Sequence, residues 1–203
     1  MNLEHLYPLI VPRSYVADSA WDLPHHPFPH DAFVLTWVLF EADEAMLYLT
    51  REEYHHLNEH HPRWHQRAIE NLRRSLAEAE SLYTQVKLSD DSRRIVFLAC
   101  LHQDGIGSSR VLLANELRQA FPAGYDVALP DRSCGLLVPR DLTAEELSGV
   151  QALVHTMHDG ATTPMSGELH DPADFALPAA WTEPSNPVFS QALVGEVLAL
   201  TAG

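Results

Sequence analysis

Between residues 94 and 139 the chain passes through an apolar stretch, a glycine-bearing loop, an amphipathic stretch and two more apolar runs. These are "RIVFLACL", "HQDGIGSS", "RVLLANELRQAF", "YDVALP" and "SCGLLV". Short apolar runs bounded by turn residues read as buried strands, and the longer amphipathic stretch reads as a helix. The order is therefore strand, loop, helix, hairpin, and 94–101 reaches 125–130 only by passing through a helix. No other pair of strands is joined that way, so hairpins outnumber crossovers. The expected class is α+β, with a mixed, largely antiparallel sheet and helices packed mainly on one face.

The flanking sequence supports that class. Residues 6–16 read as an edge strand, because Pro8 and Pro12 cannot donate to a ladder. A His/Pro-rich loop follows at about 22–31. "FVLTWVLF" (33–40) is apolar on both faces and predicts a strand covered on both sides, with "MLYL" as its hairpin partner. Residues 51–60 predict a short helix. Pro62 opens a longer one, with Trp64, Ala68, Leu72 and Leu76 facing inward, widened by Ile69, Ala79 and Tyr83. Glu70 and Arg74 lie outside at i,i+4 spacing. Thr143 and Glu146 make a capping box ahead of Leu147, Val150, Val154 and Met157, and Gly160 ends that helix. A Pro-rich loop at about 161–187 holds one short strand near 165–170, and Asn186 and Pro187 open a last helix on Phe189, Leu193, Val197 and Leu200. A chain of 203 residues fits one domain, 1–203.

Thirteen Lys and Arg stand against 28 Asp and Glu, a formal charge of −15. Such a surface repels phosphate backbones and anionic lipids, so neither a nucleic acid nor a membrane partner is expected. No apolar segment approaches the roughly 20 residues that span a bilayer. The N-terminus has no basic start before a long apolar stretch, so a cytoplasmic location is expected. Cys100 and Cys134 lie in apolar runs without a CxxC partner and read as free buried thiols.

The order "LYPLIVPRSY", paired strands 33–49, "RAIENLRRSL", "DGIGSSRVLL", "YDVALPDRSCGLLV" and "TMHDG" resembles a bacterial family of uncharacterised proteins, domain of unknown function 1444. The resemblance is sharpest at Asn71-Leu72, at Asp104 with Ser109-Arg110, and at Leu129-Pro130. It spans nearly the whole chain, although longer relatives carry an additional N-terminal region. It implies a compact cytoplasmic α+β domain and no assigned activity.

Three groups of residues could carry chemistry. In "DGIGSSR", Gly105-x-Gly107 before a helix start is how a phosphate-cradling loop begins. Arg110 stands where the dinucleotide fingerprint needs a third glycine, which excludes that cofactor. Asp104, Ser108, Ser109 and Arg110, with Asn71 reaching in from the neighbouring helix, could still clamp a small anion. The architectural alternative has Ser108 capping the helix, the glycines making the turn and Asp104 pairing with Arg110. Among 13 histidines, His56 and His60 share a helix face at a metal-binding spacing, although Leu57 rules out HExxH. Most histidines have charged neighbours and read as solvent-facing. Ser133-Cys134-Gly135 lacks the strand-to-helix elbow of a serine nucleophile. With no complete catalytic constellation and no cofactor motif, the leading expectation is a non-catalytic domain acting through protein contacts or self-association. A small-anion or phosphoryl-ligand site at the DGIGSSR loop is the alternative, and histidine-based metal binding the third.

Overall fold

The computed structural model describes residues 2–17, 22–40, 45–78, 84–90, 94–101, 104–182 and position 195. The first sheet is built round Phe33–Phe40 (β3), which is buried at its first six positions. Leu6–Pro12 (β1) pairs antiparallel with β3, from Leu6 opposite Leu39 to Pro12 opposite Phe33. The far side of β3 is shared by His26–Pro27 (β2) and Met46–Tyr48 (β4), both antiparallel. β1 is the edge strand its prolines require, but it ends at Pro12 and the chain coils into Arg13–Ala17 (α1). One backbone amide of β1 is taken by a side chain: the Ile10 N–H donates to Ser109 Oγ at 3.0 Å. That bond ties the edge of this sheet to the next unit.

The second sheet contains Thr84–Leu88 (β5), Ile95–Cys100 (β6), Tyr125–Asp131 (β7), Cys134–Pro139 (β8) and Leu169–His170 (β9), in the order β5-β6-β8-β7-β9. All its pairings among the described residues are antiparallel. β8 lies between β6 and β7, so those two are parallel to each other and the helix joining them is a crossover. The α+β class holds, with the strands divided over two antiparallel sheets. The crossover, Gly107–Ala120, is wound as a 3-10 helix. Its tighter coil lies directly on β8: a Cβ at Gly135 would sit 2.7 Å from Val111 Cγ1 and 3.2 Å from the Ser108 Cα. The alternation along β7 and β8 explains why helices cover both faces of this sheet. Val127, Leu129 and Leu137 join the main core shared with β1 and β3. Ala128, Leu136 and Val138 meet Val150 and Val154 of Ala144–Asp159 (α4) on the other side.

Arg51–His60 (α2) opens with a capping box of Thr50 and Glu53, and α4 with the expected one of Thr143 and Glu146. The long helix, Trp64–Glu78 (α3), starts two residues after Pro62, which lies in the turn before it. Trp64, Ala68, Ile69 and Leu72 are buried as their spacing predicts. Arg74 reaches Glu4 at 3.0 Å, and Glu70 lies 3.5 Å from Arg67. Ala179–Thr182 (α5) packs against α3. Ala79, Tyr83 and the expected last helix with Phe189, Leu193, Val197 and Leu200 lie outside the described residues. Among the described residues no helix is long and apolar enough to cross a membrane.

Candidate functional site

The DGIGSSR loop closes on itself. Asp104 Oδ1 accepts the Ile106 N–H at 3.1 Å, which shapes the turn, and both carboxylate oxygens accept from Arg110 (3.2 and 2.6 Å). Arg110 Nη2 also donates to Ser75 Oγ at 3.0 Å, so the guanidinium is held from two sides. The Arg110 side chain is 1% exposed and cannot face a ligand. The two glycines serve the turn. Gly105 has φ +74°, and Gly107 passes so close to the β7–β8 turn that a Cβ would lie 1.8 Å from the Ser133 carbonyl oxygen.

Of the remaining residues of the expected clamp, Ser109 and Asn71 are used elsewhere and Ser108 is buried. Ser109 Oγ is held by β1. Ser108 does not cap the helix: Ile106 stands at the cap position with no side-chain bond, while the buried Ser108 hydroxyl has no partner among the described residues and its N–H goes to the Arg132 carbonyl. Asn71 turns away from Arg110 and donates to the carbonyls of Leu3 (2.7 Å) and Leu6 (2.9 Å). The residue of α3 that reaches the arginine is Ser75, one turn further on. Asp104 and Arg110 are together as the spacing predicts, but as a closed internal pair.

The available cation next to this loop is Arg132, in the β7–β8 turn. Its Nη2 lies 4.0 Å from where a Cβ on Gly105 would stand, and its Nη1 is 3.5 Å from the Tyr48 hydroxyl. Its buried Nε has no partner, and among the described residues it makes no ion pair. The neighbouring carboxylate in sequence, Asp131, is occupied by neutral donors: the Ser133 N–H (2.7 Å) and hydroxyl (2.5 Å), and the Thr163 N–H (2.9 Å) and hydroxyl (3.1 Å). Tyr15 packs on Tyr48 at 5.7 Å between centroids and is 40% exposed. Burial, then the Tyr15 hydroxyl, hold the Tyr48 phenol above its ordinary range against the pull of Arg132, so it stays a neutral donor.

No known family, curated protein or solved structure matches this chain.

The groove beside α4 offers less. About 720 Å³ opens between α4 and β5–β6, but its Arg94 is committed to Glu146 and to the Asp141 carbonyl. The thiols are free and buried as expected, and burial pushes Cys100 up to about 11 and Cys134 up to about 12, far from a thiolate. His56 and His60 stack at 4.4 Å, with His60 Nδ1 3.0 Å from the His56 carbonyl oxygen. The triad of metal-type donors among the described residues lies elsewhere, at His30, His170 and Asp174.

His65 departs from the expected surface role. Its ring is stacked between Trp64 (3.6 Å) and Trp181 (3.9 Å), and its Nε2 is buried without a partner among the described residues. Burial, and then His26, push its imidazole down to about 4 from 6.5. The unfolded chain takes up that proton near pH 6.5 and the folded chain only near 4. The stability this residue contributes is therefore complete above pH 6.5 and is lost as pH falls through that window. Allowing for the part of the ring that water reaches, the loss is about 2 kcal/mol. Urea unfolding at pH 7 and pH 4 checks this against His65→Phe. The variant should show a flatter profile, although His26 and His170, also lowered by burial, keep some slope. Identical slopes in the two proteins would rule out His65 as the source.

Proposed function

We propose that this is a non-catalytic, cytoplasmic binding domain whose contact is made through an anionic group, carboxylate or phosphoryl, received by Arg132. One observation carries the reading. In a chain with 28 acidic residues and 13 basic ones, a half-buried guanidinium beside a glycine turn makes no ion pair among the described residues. A partly desolvated charge without a counter-ion is unfavourable, and an anion from outside would relieve it with charge-assisted bonds. Tyrosine and arginine side by side are also the residue types that dominate contact energies at protein interfaces. The anion can therefore be a free metabolite or an acidic group of a partner protein. Free Cys100 and Cys134 suit a reducing compartment.

Thermal unfolding with inorganic phosphate or succinate, at ionic strength held constant with chloride, tests this. The parent should show a saturable rise in Tm, and Arg132→Gln should show none. The variant should keep the Tm of the anion-free parent or exceed it, because no ion pair among the described residues is lost. Phosphate alone being effective would favour a phosphoryl ligand, and succinate alone a carboxylate. A parent unmoved by either, or a variant that responds equally, ends the proposal.

A further inference from the structure

We infer a binding site for a divalent transition metal of the zinc class at His30, His170 and Asp174, a site independent of Arg132. Each of the three residues offers one ligand atom, and these atoms lie within 4.8 Å of one another. The residues come from three places. His30 is in the loop between β2 and β3, His170 is in β9 where it pairs opposite Val127, and Asp174 is in the short turn of helix Pro172–Phe175. The fold holds them together: the His30 N–H donates to the Asp174 carbonyl at 3.4 Å, and the two imidazoles meet edge to face at 5.3 Å.

The chemistry of the donors fits such an ion. Two imidazoles and a carboxylate suit zinc, cobalt, nickel or ferrous iron, whereas calcium and magnesium prefer oxygen throughout. His170 is the buried member, packed against Phe33 and Phe175, and its Nε2 lies 2.9 Å from Ser166 Oγ. A hydrogen bond on one ring nitrogen is how proteins aim the other at a metal. The Asp174 carboxylate, half-exposed at the mouth, accepts no hydrogen bond and makes no ion pair among the described residues. His30 Nδ1 takes a long contact from the Ala32 N–H at 3.2 Å. A metal on that ring displaces either this contact or the proton on Nε2. Three protein ligands leave a coordination position open to water.

Titration calorimetry of the untagged full chain with Zn²⁺ alone tests the inference, using Asp174→Asn and His30→Gln, which both alter half-exposed residues, and a His56→Ala/His60→Ala control. One equivalent should bind the parent and the control alike, with affinity falling at least tenfold in each of the first two variants. Co²⁺ should give a ligand-field absorption band in the parent that Asp174→Asn loses. The site is refuted by a parent without a stoichiometric ion, by tight binding that survives both substitutions, or by binding that disappears with His56 and His60. Phosphate and succinate play no part in this assay, so its failure leaves Arg132 untouched.

Discussion

Asp104→Ala is expected to destabilise the protein by about 3 kcal/mol in urea unfolding, although it deletes only a partly exposed carboxylate. The cost arises at its partner. The Arg110 side chain is 1% exposed against 34% for Asp104, and its Nε already lacks an acceptor among the described residues. Without Asp104 the guanidinium keeps only Ser75 Oγ among its side-chain partners, so a buried cation loses its counter-ion. The Ile106 N–H loses its acceptor as well, which loosens the entry to the crossover helix. Adding Arg110→Met should recover most of the loss, because a side chain of similar length without charge needs no partner there. A single-variant loss below about 1 kcal/mol would mean that the guanidinium reaches water, and would reopen Arg110 as a ligand-binding residue.

That pair also marks how far the sequence could be read. Asp104 and Arg110 are six residues apart within one loop-to-helix turn, so local spacing was enough to bring them together. The strands and helices were legible for the same reason: the double-sided run of β3, the stripe of α3 and the capping box of α4 are local patterns. Partners distant in the chain left no such trace. Ser75 reaches Arg110 from 35 residues away, and Arg132 lies beside Gly105 only because the crossover helix rests on the β7–β8 turn. The histidines make the point most plainly. Their spacing in sequence points to His56 and His60, yet the convergent donors combine His30 with residues 140 and 144 positions later, brought over by β9 pairing with β7. Ser108 misled in the opposite way. A serine before a helix is a common cap, but the turn had already been closed by Asp104.

Gly107→Ala is expected to be the most damaging alanine substitution among the described glycines, lowering stability by about 4 kcal/mol or more. The added Cβ would lie 1.8 Å from the Ser133 carbonyl oxygen, 2.4 Å from its carbon and 3.1 Å from the Cys134 nitrogen. All three are backbone atoms, so no rotamer change can make room. The crossover helix would have to lift off the β7–β8 turn. Lifting it breaks the Ser108 N–H to Arg132 carbonyl bond and strains the Ser109 link to β1, two of the contacts that couple this helix to the sheets. Gly105→Ala is the control, because it tests conformation without crowding. Its Cβ would meet nothing closer than Met46 Sδ at 3.8 Å, and only the φ of +74° opposes it, a cost of about 1 kcal/mol. If urea unfolding ranks the two alike, close approach of helix and turn is not what glycine at 107 provides. A large loss at 107 beside a small one at 105 would show that glycine at 107 is required by close packing on the β7–β8 turn, and glycine at 105 only by its backbone conformation.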